Sequence, residues 1–329
     1  MQKITGIGNA LVDVLAELSD DSLLEKSGLE KGGMHLINDA EADSIRKIFS
    51  GMKLHKATGG SARNTMHALA RLGAKPGYIG ATGSDETGNF FENNCRELGI
   101  DLKLVNKPMA SGIAHTFVSK DGERTFGTYL GAASMLEAGD IKPEMFSGYD
   151  YLYVEGYLVQ NHEMILRAIT TAREAGLRIC IDLASFNIVA GDLDFFRQIV
   201  EKYVDIVFAN EEEARSFTGE ADPLKAIEII APMTSIAVVK LGAKGVAVMQ
   251  GDEKFVEPGL KVDNVVDTTA AGDFFAGGFM YGLLSGCSLR QCAKMGGVMG
   301  GNVIQYYGTN IPEDVWNSII QTIDNIKNN

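Results

Sequence analysis

The chain lacks the marks of a membrane, secreted or nucleic-acid-binding protein. Every apolar run is cut by a charge or a glycine before about 18 residues, so no membrane-spanning helix is expected. Asp13 and Glu17 interrupt the N-terminal apolar stretch and no basic leader precedes it, which argues against a secretory signal and for a cytoplasmic location. The 4 cysteines (Cys95, Cys180, Cys287, Cys292) form no CxxC pair and read as reduced core thiols. The 5 histidines (His35, His55, His67, His115, His162) show no metal-ligand spacing. Basic charge is also short: 30 Lys and Arg stand against 43 Asp and Glu, a net −13. That balance excludes a nucleic-acid backbone or an anionic membrane as the main partner, while leaving room for a small anion held by backbone amides and a few cations.

What the chain has in quantity is glycine, 38 residues of 329, together with an alternation of β-rich and helical runs. Ile4–Gly8, Gly77–Ala81, Tyr151–Glu155, Arg178–Leu183, Asp205–Ala209 and Ser235–Lys240 read as buried strands. Between them, Ala62–Leu72, Thr87–Leu98, His162–Ala175, Asp192–Tyr203 and Pro223–Ile230 carry helical periodicity. The pattern predicts βαβ units and a mainly parallel sheet covered on both faces. Two stretches depart from it. Residues 12 to about 38 and 102 to about 130 hold strand-like runs (Met34–Ile37, Ile113–Val118, Arg124–Tyr129) without intervening helices, and Lys120-Asp121-Gly122-Glu123 reads as a hairpin turn. They are expected to form one small β subdomain inserted into a single domain spanning residues 1–329. No repeat, low-complexity tract or interdomain linker is visible.

The most informative stretch is Asp267-Thr268-Thr269-Ala270-Ala271-Gly272-Asp273, leading into the apolar run Phe274–Leu284. If that run is a buried helix, its unpaired N–H groups and positive dipole end fall at Ala271, Gly272 and Asp273, where they make an anion site. A carboxylate there would repel phosphate. Asp273 is better explained as a base that deprotonates an attacking hydroxyl, although an aspartate at a helix start also serves as an ordinary cap.

Further constellations lie at other predicted element ends. Gly6-Ile7-Gly8-Asn9-Ala10-Leu11-Val12-Asp13 lacks the third glycine of a dinucleotide fingerprint, and its Asn9 and Asp13 could bind neighbouring sugar hydroxyls or simply form a surface turn. Gly59-Gly60-Ser61-Ala62-Arg63-Asn64 precedes a helix; Gly60 would let a ligand touch backbone and Asn64 suits a hydroxyl, with helix capping the plainer reading. Asn210-Glu211-Glu212-Glu213 follows a strand, where Asn210 and Glu213 suit Mg²⁺ bound through water, or merely complement a helix dipole. Glu155 ends a strand facing the same crevice. Lys240-Leu241-Gly242-Ala243-Lys244-Gly245 is a glycine turn in which Lys240, Gly242 and Gly245 could hold nucleotide phosphates, or a plain hairpin. Finally, Gly296, Gly297, Gly300 and Gly301 sit in a helical pattern at a cost of roughly 1 kcal/mol each relative to alanine, which implies close helix packing or a flat ligand such as a purine against bare backbone.

Together these residues resemble the PfkB, or ribokinase-like, family of carbohydrate and nucleoside kinases, and most closely its adenosine-kinase branch. The Gly59–Gly83 and Asp267–Phe279 stretches are similar to its two signatures, with Ala270 in place of the usual first glycine. The resemblance implies an α/β fold: a ribokinase-like Rossmann-type sandwich with a mainly parallel central sheet and a small β lid. It implies an ATP- and Mg²⁺-dependent kinase phosphorylating a primary hydroxyl, the 5′-OH of adenosine or a related nucleoside, with ribose or fructose as the alternative acceptor and a nucleoside-binding regulator as the non-enzymatic one. By the same analogy Asn9, Asp13, Gly60 and Asn64 hold the acceptor, Asn210 and Glu213 organise Mg²⁺ and phosphates, and Arg124 reaches the phosphate from the lid. Dimer contacts through the lid, and a monovalent cation such as K⁺ near the second signature, are further properties of the family.

Overall fold

The computed structural model describes residues 1–121 and 123–328. In chain order its strands are β1 Ile4–Ile7, β2 Leu11–Glu17, β3 Met34–Leu36, β4 Leu54–Gly59, β5 Gly77–Thr82, β6 Asp101–Asn106 and β7 Gly112–Val118. They continue with β8 Arg124–Tyr129, β9 Tyr151–Glu155, β10 Arg178–Asp182, β11 Ile206–Asn210, β12 Ile236–Lys240, β13 Val246–Gln250 and β14 Glu253–Glu257.

Nine strands form one sheet in the order β14-β13-β12-β11-β10-β9-β1-β5-β6. It is parallel from β12 to β6, and the antiparallel β13–β14 hairpin closes the other edge. The central strands are apolar throughout because both faces are covered. In β9, Tyr151 and Tyr153 join the core under helices Ser61–Arg71, Ala271–Leu284 and Leu289–Val303, while Leu152 and Val154 join the opposite core under His162–Glu174 and Leu193–Tyr203. The ribokinase-like α/β architecture expected from the sequence is the one observed.

The second sheet has five strands in the order β3-β8-β7-β2-β4. Its composition corrects the sequence reading in three ways. β6, assigned from Leu102 onward to the insertion, pairs parallel with β5 and is the edge of the large sheet. β4 belongs to the small sheet, antiparallel to β2, and was missed because Leu54-His55-Lys56-Ala57 buries too little to show an alternating pattern. The first insertion also holds a helix, Ser22–Ser27, where none was expected, and a longer one, Asp39–Phe49, directly follows the insertion. The longer one is closed by an Asn38–Glu41 capping box and buries Ala42, Ile45 and Phe49 at helical spacing. β7 and β8 pair antiparallel, as a hairpin at Lys120–Glu123 requires; Gly122 of that turn lies outside the described residues.

The glycines of the C-terminal helices mostly serve packing. A Cβ at Gly277 would stand 2.5 Å from Ala68 Cβ, one at Gly278 2.6 Å from the Met295 carbonyl, and one at Gly296 2.8 Å from the Phe275 ring. Only Gly297 of the four sequence-selected positions faces open space.

Candidate active site

The parallel strands end in a row of polar groups. Glu155 closes β9, Asp182 closes β10, Asn210 closes β11 and Lys240 closes β12, with Glu155 beside Asp182 and Asn210 beside Lys240 in register. Asn9 follows β1 and extends the row. These residues, with Asp13, Gly60, Asn64, Glu213, Gly242 and Ala271–Asp273, line one cleft of about 800 Å³. Its position follows the topology, because loops leaving the carboxyl ends of parallel strands are where a sheet's crossovers leave a crevice.

Asp273 lies in the first turn of helix Ala271–Leu284. Ser61 Oγ donates to its Oδ1 at 2.6 Å and Asn64 Nδ2 to its Oδ2 at 2.9 Å, so the N-terminus of helix Ser61–Arg71 orients it. Burial pushes its carboxyl up from 3.8 to about 6, and the Ser61 and Asn64 hydrogen bonds limit the rise. The side chain is therefore largely anionic near neutral pH while remaining basic enough to accept a proton.

The helix terminus beside it is left open by the residue before it. Ala270 sits at φ 61°, a left-handed conformation normally left to glycine. Gly272 and Asp273 carry N–H groups with no acceptor among the described residues, whereas Ala271 N–H donates to the Thr268 carbonyl at 3.3 Å. This amends the sequence expectation of three free amides to two, because the tight turn at Ala270 folds the third back on its own chain. Lys240 supplies positive charge nearby: its Nζ lies 3.0 Å from where a Cβ on Gly272 would stand, so the bare glycine gives it close access to the helix start. The Lys240 ammonium also pairs with Asp182 at 2.8 Å. Burial works against its charge, but the Asp182 and Glu213 carboxylates outweigh it and raise the pKa.

Glu155 lines the cleft, yet both oxygens serve the fold. Oε1 accepts from Asn9 Nδ2 at 2.9 Å and Oε2 from Ala62 N at 3.0 Å, so it ties the end of β1 to the helix that orients Asp273. At 2% exposure, its carboxyl is pushed by burial to about 7. Asn9 contributes an amide to that link. Asn210 and Glu213 close on each other as a capping box: Glu213 N donates to Asn210 Oδ1 at 2.8 Å, and Asn210 N and Nδ2 donate to the Glu213 carboxylate at 2.8 and 2.7 Å. Among the described residues no three acidic, histidine or cysteine side chains converge to hold a metal directly. The donor set suits Mg²⁺ carrying its own waters and phosphate oxygens, which is how that ion prefers to bind.

Asp13, on β2, projects into the cleft opposite these groups. None of the described hydrogen bonds or ion pairs uses its carboxylate, which lies over the bare backbone of Gly59; a Cβ there would meet its Oδ1 at 2.4 Å. Burial raises it from 3.8 to about 7, with Arg63 pulling the other way. Gly60, at φ 90°, turns the chain from β4 into the helix, a conformation open to glycine. The small sheet walls this end with Met34, Leu36, Ala114, Phe126 and Leu130.

Two selected residues fall outside the cleft. Gly245, at φ 106°, lies against the Glu257 carbonyl and Gly259 and shapes the β12–β13 turn, so the plain-hairpin reading applies to it. Arg124, on β8, lines an adjoining cavity of about 450 Å³ and pairs with Asp267 at 2.8 Å. Asp267 also accepts from Thr269 N at 2.9 Å and Gly308 N at 2.6 Å. Its carboxylate is thus held by one guanidinium and two backbone amides. The sequence reading missed Asp182, although the strand-end rule that found Glu155 applies equally to it, and gave no role to Ser61 beyond the turn.

The model of the pfkB family carbohydrate kinases matches residues 34–316. The chain belongs to this family. This kinase is 25% identical to "Adenosine kinase 2" of Arabidopsis thaliana over 94% of its own length and 96% of the relative's. It is 28% identical to a ribokinase of Haemophilus influenzae over 80% of its length and 86% of the relative's. Among solved structures, adenosine kinase from Sinorhizobium meliloti superposes with a TM-score of 0.88 at 33% identity, covering 98% of this chain and 99% of that one. A probable sugar kinase from Rhizobium etli gives the same TM-score at 32% identity, covering 98% of each chain. The protein is an ATP-dependent kinase of the nucleoside and sugar class. Among the described residues, no helix is long and apolar enough to cross a membrane.

Proposed function

We propose that this kinase transfers the γ-phosphoryl group of ATP to the 5′-OH of adenosine or a related nucleoside, with Asp273 as general base. The observation that carries the reading is the Asp273 carboxylate, held by Ser61 and Asn64 beside two unpartnered amides and facing the unpartnered Asp13 across one cleft.

Asp273 accepts the hydroxyl proton as the acceptor oxygen forms its bond to the γ-phosphorus and the bond to the β–γ bridging oxygen breaks, the electron pair leaving with ADP. The Gly272 and Asp273 N–H groups and the Lys240 ammonium stabilise the charge on the transferring group. Asp13 accepts hydrogen bonds from the acceptor's ribose hydroxyls, and Asn9, Gly60 and Asn64 shape the same end. Mg²⁺, held through water by Asn210 and Glu213, would neutralise charge on the phosphates. Met34 and Leu36 are 50% and 55% exposed on the small sheet, an apolar surface suited to a flat base. That surface favours a nucleoside over ribose or fructose, which have no base to cover it. Its closure over the acceptor would exclude water from the γ-phosphate.

The test is ATP consumption with Mg²⁺ against a panel of nucleosides and free sugars. Turnover of adenosine or a close analogue above ribose and fructose is expected. Turnover of free sugars alone would overturn the nucleoside assignment.

A further inference from the structure

Arg63 is 1% exposed and makes no ion pair among the described residues. Its guanidinium donates to the Thr58 carbonyl at 3.1 Å, contacts His67 Nδ1 at 3.3 Å and donates to the Asn94 side-chain oxygen, while its Nε has no partner. The Cys95 thiol also lies beside the guanidinium, and all of these neighbours are neutral: burial holds the His67 imidazole well below its usual range and pushes the Cys95 thiol up. The residue also occupies the first turn of helix Ser61–Arg71, where the helix dipole disfavours a cation. Burying an unpaired charge at the positive end of a helix is costly on both counts. A residue kept only to fill this space and satisfy Thr58 and Asn94 would not need the charge.

The Thr58–Gly59 backbone at the end of β4 lies between Arg63 and Asp13. Arg63 grips the Thr58 carbonyl, and Asp13 rests against Gly59. Asp13 is also the one carboxylate whose field reaches Arg63 appreciably. The other charges facing Asp13 are Asp273 from helix Ala271–Leu284, Asp267 from the turn before it and Arg124 from β8. Glu17, Lys53, His55 and Lys56 line the adjoining cavity with it. The two aspartates disfavour the anion, and Arg124 is already paired with Asp267.

We propose that Arg63 is the buried counter-charge to Asp13, acting across the Thr58–Gly59 strand end to hold the acceptor-binding carboxylate as an anion. Arg63 is a positioning residue on this account, since it touches neither substrate. The proposal rests on the reading of Asp13 as the group that binds the acceptor's hydroxyls.

The experiment is a ¹³C NMR titration of the Asp13 carboxyl in ligand-free enzyme, wild type against Arg63→Gln, together with acceptor and ATP KM as functions of pH. In Arg63→Gln the Asp13 titration should move up by about one pH unit or more. Acceptor KM at pH 7 should then rise several-fold while ATP KM stays unchanged, and Arg63→Lys should restore both profiles. An unmoved Asp13 titration in folded Arg63→Gln overturns the proposal. A moved titration with unchanged acceptor KM leaves the coupling standing and overturns the acceptor reading of Asp13. Should Arg63→Gln not fold, Arg63→Lys decides alone. A wild-type pH profile supports the charge, whereas acceptor affinity lowered equally at every pH shows that only the guanidinium's hydrogen bonds matter.

Discussion

Arg124 Nη1 lies 2.8 Å from the Asp267 carboxylate, and this ion pair joins the small sheet to the turn that presents Ala271, Gly272 and Asp273. The carboxylate is 1% exposed and also holds the N–H groups of Thr269 and Gly308. A motion of β8 is therefore coupled to the turn on which the proposed anion site depends.

Arg124→Ala should lower kcat more than it weakens acceptor binding, because it loosens the Thr268–Asp273 turn without removing an acceptor contact. It should also lower stability by about 3–5 kcal/mol, the usual cost of stranding a buried charge. Hydrogen exchange in residues 12–38 and 112–130 should slow on acceptor binding more than on ATP binding. Unchanged exchange at saturating acceptor would count against a closing sheet and favour a fixed surface.

Asp273→Asn should retain the fold, since Asn can still meet Ser61 and Asn64, while turnover falls by at least about 10²-fold. Near-wild-type turnover in the purified variant would remove Asp273 from the base role.

Asp13→Ala should raise acceptor KM strongly and leave ATP KM nearly unchanged, as hydrogen bonds to a charged group contribute about 1.5–3 kcal/mol each. An equal loss for both substrates would show that the cleft is divided differently.

Glu155 predicts a pH dependence of stability. Burial raises its carboxyl from 4.5 to about 7, so the folded state binds the proton more tightly than the unfolded chain. Its favourable contribution is complete below pH 4.5 and is lost as pH rises through 7. The full difference is on the order of 3 kcal/mol. Denaturant melts of wild type and Glu155→Gln should diverge across this window as pH rises, the wild type losing stability that the non-titrating Gln keeps, and parallel curves would contradict the linkage.

Ala270→Gly should stabilise the protein by about 0.5–1 kcal/mol, because Ala270 holds φ 61° where glycine carries no Cβ penalty. A lower melting temperature would mean that its methyl packing outweighs the strain.

The legible parts of this protein are those governed by local pattern. Continuous apolar runs bounded by turns mark β9, β10 and β12 almost to the residue, since strands buried on both faces leave no alternative periodicity. The Asp267–Asp273 stretch marks the helix start at which the Gly272 and Asp273 amides are uncovered among the described residues, because small residues before an apolar helix leave them so. Where partners come from distant segments, the sequence is silent. β4 shows no alternation of its own and finds its sheet only through β2, and β6 joins the large sheet because β5 lies open beside it. The partnership of Asp182 with Lys240 spans separate strands, and that of Arg124 with Asp267 spans separate sheets. Glu155 looked like a ligand group from its strand-end position alone, but packing brings Asn9 and Ala62 onto both its oxygens, whereas the Asp13 carboxylate meets no hydrogen-bond or ion-pair partner among the described residues. Local sequence thus determined which residues could act. Only the folded chain, by burying some charges and pairing others, decided which of them remain free to do so.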